Sequence, residues 1–274
     1  MRIILKEIAM IRGFLMSLGM FSVIPVPRNS WNEKYMPLVI PALPVVGLLI
    51  GLLWYGAAWF LLRLDVPVMM TSVFLLLIPF VLTGLIHLDG FMDTADAVLS
   101  RRPLEDKKRI LKDPNAGAFS VIAVILLMLL QFSAMYTIVG AVPTVSSMPV
   151  LQWNLIWGPI SLHLPWLTPF SFVVIPVVSR CVTGAALILC KPVFETGYNA
   201  SFKAGTKNRH LVFIFILGLL CVVLAPLAAL VGVVAGVGTA VYLHRQFEGM
   251  SGDLCGCIVM VSECVALVGL GLVS

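Results

Sequence analysis

Charged residues are scarce in this sequence. Only 18 Lys and Arg residues and 13 Asp and Glu residues occur among 274, whereas 60% of the chain is hydrophobic. A soluble domain has about 25% charged residues, so this composition excludes an ordinary soluble fold. The mean hydropathy of +1.06 indicates a polytopic membrane protein. We therefore expect one all-α integral membrane domain over residues 1–274.

Cysteine motifs for metals or redox chemistry are also missing. Cys255 and Cys257 form C-x-C rather than C-x-x-C, and all six cysteines lie in or beside apolar segments. We interpret them as packing residues without metal or disulfide. The first 25 residues are interrupted by Lys6, Glu7 and Arg12, and no small-residue cleavage site follows, so we expect no signal peptide. We expect residues 1–30 to form an amphipathic helix on the membrane surface.

Long apolar runs supply the candidate membrane spans. A spanning helix needs about 20 mostly apolar residues. The run 211–243 is too long for one span and contains Pro226 near its middle, which favours a hairpin of two short helices. The sequence thus predicts a bundle over 38–274 with seven spans, six or eight being alternatives: 38–62, 66–88, 118–139, 170–190, two within 211–243, and 254–274.

The positive charges predict the orientation of this bundle. With the N-terminus inside, sixteen of the eighteen Lys and Arg residues are cytoplasmic, in segments 1–37, 89–117, 191–210 and 244–253. The outer loop 140–169 contains none, and the exceptions are Arg63 and Arg180. This matches the positive-inside rule. The net charge of +5 then lies where anionic lipids attract it, so we expect a bilayer and no nucleic acid as a partner.

The stretch HLDGFMDTAD at 87–96 gathers three aspartates beside an apolar run. On a helix, Asp89, Asp93 and Asp96 share one face, where their like charges repel and favour a compensating cation. Mg²⁺ is the natural candidate, because a few carboxylates and substrate phosphates hold it. Gly90 permits a close backbone approach, which could accompany a break in the helix. A solvated acidic loop with helix-capping aspartates is the alternative.

Polar residues elsewhere on the predicted cytoplasmic side extend this candidate site. Lys112 and Asp113 precede a helix expected to start near Gly117, and a cation beside a helix N-terminus suits a phosphate. Asp253, just before the last span, joins the three aspartates as a candidate catalytic residue and metal ligand. The other positive charges of the loop 101–112 we interpret mainly as topology-setting or solvated.

Two ionisable residues fall inside predicted spans. Arg180 lies ten residues before the inner end of its span, and Glu263 lies ten residues beyond Asp253. Ionisable groups at such depth are costly and usually functional. The two residues could pair, or Arg180 could reach a substrate phosphate with its planar fork. His87 would not share the aspartate face of an unbroken helix, and either supports the site or packs.

Three motifs together resemble the cobalamin synthase family, the adenosylcobinamide-GDP ribazoletransferases. They are GLIHLDGFMDTAD at 84–96, KDPNAGAF at 112–119 and GMSGDLCGCIVMVSE at 249–263, and the N-terminal FSVIPVP is similar as well. The resemblance covers about residues 14 to 270. It implies a multi-pass enzyme of the bacterial inner membrane, which joins adenosylcobinamide-GDP to α-ribazole or its 5′-phosphate and releases GMP with Mg²⁺.

The resemblance and the residues together suggest a division of labour. The four aspartates would hold Mg²⁺ on the diphosphate, Asp96 would take the proton of a ribazole hydroxyl, and the substrate-binding candidates are Lys112, Asp113, Arg180, Glu263 and His87. One alternative is a phosphotransferase of the CDP-alcohol type, whose motif has Ala-Arg where this chain has Phe91-Met92. Another is an ion-coupled transporter. The sequence leaves a homo-oligomer open.

Overall fold

The computed structural model describes residues 2–142, 170–194, 206 and 208–274. The secondary-structure elements of these described residues are all helices, with no β-strand among them, which confirms the all-α class. Two short 3-10 helices, Arg28–Ser30 and Glu33–Leu38, precede the second α-helix. The α-helices are α1 Arg2–Phe21, α2 Val39–Arg63, α3 Val68–Leu82, α4 Ile86–Leu99, α5 Leu104–Ile110, α6 Ala118–Gly140, α7 Ser171–Leu189, α8 Asn208–Leu224, α9 Pro226–Phe247 and α10 Gly252–Gly271.

Five of the described helical segments are long and apolar enough to cross a membrane, and they contain α2, α6, α7, α9 and α10. The bent pair α3 and α4 makes a sixth when it is counted as one span. Helix α8, with 17 residues, is apolar but shorter than a full span. The described helices therefore reach the predicted alternative of six spans, and the seventh stays a prediction. The predicted loops 140–169 and 191–210 lie mostly outside the described residues.

A sharp bend separates α3 from α4, whose axes meet at 89°. The predicted span 66–88 runs through this bend and is therefore wrong at its end. Gly84 and Leu85 both adopt left-handed backbone angles, with φ of 62° and 64°. Glycine tolerates this region whereas leucine is strained there, so Gly84 makes the turn feasible. A break at Gly90 is wrong, because α4 continues unbroken past it.

Helices α8 and α9 form the predicted hairpin. Ala225 separates them, and Pro226 occupies the start of α9. Proline fits there because the first N–H groups of a helix have no partner within the helix. The two helices extend beyond 211–243 at both ends, and with 22 residues α9 is a full-length span rather than the short helix expected.

Helix α7 lies deepest in the bundle and packs against α2, α9 and α10. Glycine lets α2 approach it closely: a Cβ atom on Gly51 would lie 2.6 Å from the carbonyl oxygen of Val173. Small residues at such crossings are typical of membrane helices. Helix α1 packs its C-terminal half on α2, where Met16, Ser17 and Leu18 are buried. Its predicted place at the membrane surface stays a prediction.

Candidate active site

Helix α4 presents its three aspartates on one face because its other face is buried in the bundle. The buried residues are His87, Gly90, Phe91, Thr94 and Ala97. Asp89 is exposed, whereas Asp93 and Asp96 are half-buried. Asp93 is the centre of the cluster, since the carboxylates of Asp89, Asp253 and Asp96 all repel its charge.

Asp253 reaches this cluster from the first turn of α10. Ser251 caps that helix, and its Oγ accepts the N–H of Leu254 at 3.3 Å. The backbones of α4 and α10 touch here: a Cβ atom on Gly90 would lie 2.8 Å from the carbonyl oxygen of Asp253. The predicted close approach at Gly90 is therefore confirmed. It brings Asp253 within electrostatic reach of Asp89 as well as of Asp93.

Asp96 lies at the N-terminus of α6. Its carboxylate contacts Gly117, the residue before that helix, so closely that any Cβ atom at Gly117 would collide with both carboxylate oxygens. The positive end of a helix dipole favours a carboxylate at this place. Gly117 was expected only as a helix start, and the sequence gave no sign that Asp96 lies against it.

The turn before α6 holds Asp113 in a fixed orientation. Its Oδ1 accepts the backbone N–H of Asn115 at 2.9 Å and the side-chain amide of Asn115 at 2.8 Å. These two hydrogen bonds hold the pKa of the Asp113 carboxyl below its usual value. The carboxylate is therefore ionised in this exposed turn, and its role in substrate binding stays a prediction.

Lys112 links the same turn to the segment that follows α7. Its Nζ lies 4.0 Å from the centre of the Phe194 ring, a cation–π contact. The segment before Phe194 pairs with the chain before α10: Val193 donates its N–H to the carbonyl of Met250 at 3.0 Å, and Met250 donates to that of Lys191 at 2.8 Å. Lys112 and Asp253 thus lie at the same end of the bundle.

Arg180 and Glu263 form an ion pair inside the bundle, as one of the two alternatives predicted. Only 1% of Arg180 and 4% of Glu263 are exposed. Ser179 donates a further hydrogen bond to Glu263 at 2.8 Å, and Arg180 donates to the carbonyl of Pro176 at 3.1 Å. The pair joins α7 to α10. The role of both residues in substrate binding stays a prediction, and Ser179 is a partner that the sequence did not suggest.

His87 lies on the buried face of α4, away from the aspartates. Its ring stacks on Phe21 of α1, with 6.3 Å between the ring centres. Gly256 of α10 packs against its backbone, where a Cβ atom would lie 2.9 Å from the His87 carbonyl oxygen. The Nε2 atom is buried without a hydrogen-bond partner among the described residues. The structure thus places His87 in helix packing, and its role in substrate binding stays a prediction.

The four aspartates suit a magnesium ion by their chemistry. Within the described ranges, no three His, Cys, Asp or Glu side chains converge into a ready-made metal cage. Mg²⁺ does not need such a cage, because it binds through one or two carboxylates together with waters and substrate phosphates. Three negative charges around Asp93 make a cation favourable there. The residues therefore fit the ion.

Known proteins resemble the chain over nearly its whole length. The sequence model described as cobalamin-5-phosphate synthase matches residues 13–271. A protein of Clostridium perfringens (strain ATCC 13124) named adenosylcobinamide-GDP ribazoletransferase is 33% identical over 266 residues, covering 94% of this chain and 96% of its own. A protein of the same name in Clostridium botulinum (strain Alaska E43) is 31% identical over 264 residues, covering 93% of this chain and 95% of its own. Another in Geobacillus thermodenitrificans is 29% identical over 268 residues, covering 92% of each chain. No solved structure matches the chain. The chain belongs to the cobalamin-5-phosphate synthase family.

Proposed function

We propose that this protein is an adenosylcobinamide-GDP ribazoletransferase of the bacterial cytoplasmic membrane. It joins adenosylcobinamide-GDP to α-ribazole or α-ribazole 5′-phosphate and releases GMP. The names of relatives that align over more than nine-tenths of the chain support this activity. The observation that carries the proposal is the position of Asp93 where α4 crosses α10, within electrostatic reach of Asp89, Asp96 and Asp253.

Asp89, Asp93, Asp96 and Asp253 would hold Mg²⁺ at this cluster. When bound, the ion supplies positive charge to the diphosphate and stabilises the oxygens that attack and leave. Asp93 would be the central ligand, because the charges of the other three aspartates all act on it. Asp96 stands at the side of the cluster nearest α6.

The reaction exchanges one bond to phosphorus for another. The 3′-hydroxyl oxygen of the ribazole attacks the phosphorus that carries cobinamide, the bond from that phosphorus to GMP breaks, and Asp96 accepts the hydroxyl proton. Such transfers depend on positioning and charge neutralisation more than on covalent help from the protein. Lys112, held at the same end by Phe194, would neutralise the phosphates.

The proposed site faces the cytoplasm. Asp93, Asp253 and Lys112 lie at the end of the bundle where the basic segment 101–112 is found, and cytoplasmic loops are the ones rich in Lys and Arg. This orientation puts the site where nucleotide substrates are present.

The experiment that tests the proposal is an assay of GMP release from adenosylcobinamide-GDP and ribazole by the protein in detergent. Replacing Asp93→Asn removes one negative charge with little change in shape. We expect turnover to fall at least about 100-fold, the loss typical of removing one group that stabilises transition-state charge. Asp65→Asn is the matched control, because Asp65 lies in the turn between α2 and α3 with φ of 48°, which asparagine also tolerates.

The control variant should retain wild-type turnover, and both variants should reach the membrane in equal amounts. Wild-type turnover in Asp93→Asn would refute the site. Absence of GMP release by the unmodified protein, with Mg²⁺ and both substrates present, would refute the function itself.

A further inference from the structure

A polar pocket of about 380 Å³ opens beside Asp96. It lies among the end of α4, helix α5 and the start of α6. Its wall combines positive charge, negative charge and an aromatic ring. The residues that matter are Asp96, Ser100, Arg102, Arg109, Asp113 and Phe119.

Both arginines of this pocket are available to a ligand. Arg109 contacts Asp106 at 3.1 Å, but its side chain is 75% exposed, and exposed pairs of this kind contribute little. Arg102 forms no ion pair with any residue that the structure describes. Besides setting the membrane topology, the two arginines can therefore bind a phosphate, because a guanidinium group binds two phosphate oxygens at once.

The size and chemistry of the pocket select one part of the substrate. Its volume is near the lower end of ligand pockets, so the large corrinoid half cannot enter, whereas a nucleoside monophosphate has suitable dimensions. The ring of Phe119 is 45% exposed and offers a stacking surface for a base. Asp96 connects the pocket directly to the aspartate cluster.

We propose that this pocket binds the guanosine monophosphate half of adenosylcobinamide-GDP, with Arg102 and Arg109 binding its phosphate. This inference rests on the proposed function. An oxygen atom bridges the two phosphorus atoms of the substrate. When its bond to the phosphorus that carries cobinamide breaks, the electron pair stays on this oxygen. The GMP phosphate thereby gains a negative charge, which the two arginines stabilise in the transition state.

Steady-state kinetics with matched variants test this assignment. We expect Arg102→Ala and Arg109→Ala each to lower kcat/KM for adenosylcobinamide-GDP by about 10- to 100-fold, the effect of losing a hydrogen bond to a charged group. Both should weaken inhibition by added GMP to a similar degree, while KM for the ribazole stays unchanged. Arg109→Lys, which keeps the charge but not the fork, should recover part of the loss.

Two neighbouring cations serve as controls. Lys108 forms the same kind of pair on α5, with Glu105 at 3.1 Å, and Arg101 directly precedes Arg102, yet neither lines the pocket. Lys108→Ala and Arg101→Ala should behave as the unmodified protein. Unchanged GMP inhibition in both pocket variants, or equal losses in the controls, would overturn the assignment. Failure of the unmodified protein to release GMP would instead overturn the proposed function.

Discussion

The crossing of α4 and α10 has no room for a side chain at Gly90. A Cβ atom there would lie 2.8 Å from the carbonyl oxygen and 2.9 Å from the Cα of Asp253. Both atoms are backbone, so no side-chain rotation can relieve the contact. In Gly90→Ala the two helices must separate by about 0.6 Å before the 2.8 Å contact reaches an ordinary 3.4 Å.

This separation should damage activity more than stability. Overpacking a tight contact costs about 1–3 kcal/mol, which a bundle held by many other contacts can absorb. Misplacing catalytic groups by about 1 Å can cost on the order of 100-fold in rate. Since the shift moves Asp253 away from Asp93, we expect GMP release by Gly90→Ala to fall at least about tenfold, whereas thermal unfolding in detergent shifts only modestly.

Gly252→Ala is the matched control for this prediction. Gly252 is adjacent to Asp253 in the chain, but a Cβ atom on it meets nothing within 4 Å. The same glycine-to-alanine change should therefore leave GMP release near that of the unmodified protein. If Gly90→Ala and Gly252→Ala release GMP at equal rates, the close approach of the two backbones does not set the position of Asp253, and the reasoning fails.

Two further predictions concern the interior pair and the metal. Glu263→Leu leaves the buried guanidinium of Arg180 without its partner and should lower the free energy of unfolding by roughly 3–5 kcal/mol, measured as a fall in Tm in detergent. The double variant Arg180→Met with Glu263→Leu should recover most of this loss. A single variant as stable as the unmodified protein would contradict the pairing. Chelation by EDTA should abolish GMP release and added Mg²⁺ should restore it, because the acids around Asp93 need a cation to bind a diphosphate; full turnover in EDTA would remove the metal from the mechanism.

The spans were predictable because hydropathy sums over many residues. The predicted span 118–139 differs from α6 by one residue at one end. The bend before α4 was not predictable in this way, since it depends on the backbone angles of Gly84 and Leu85. Both residues lie in an apolar stretch whose proline, Pro79, is inside α3 and not at the bend. Composition does not change there, so only the geometry reveals that the aspartate helix is a separate element.

The parts of the candidate site that depend only on residue spacing along a helix were predictable from the sequence. The shared face of the α4 aspartates follows from helical periodicity, and a partner for Arg180 was expected from the depth of Glu263. Contacts between distant segments were not accessible. The position of Asp96 against Gly117 and the bond from Ser179 to Glu263 depend on which helix faces meet, and the charges of Arg102 and Arg109 look like any other positive charges of a cytoplasmic loop.

Packing, rather than charge, decides where the acidic groups lie. Neighbouring like charges at the surface of a helix repel by only about 0.2–0.5 kcal/mol per pair, whereas disturbing a close-packed helix crossing costs about 1–3 kcal/mol. Gly90 and Gly256 fix α4 against α10, and the Arg180–Glu263 pair fixes α10 against α7. Helix α10 therefore carries both the buried Glu263, which anchors it to α7, and Asp253 in its first turn. Because this framework tolerates the repulsion among the aspartates, their carboxyl groups can stay close together before a cation and a diphosphate arrive.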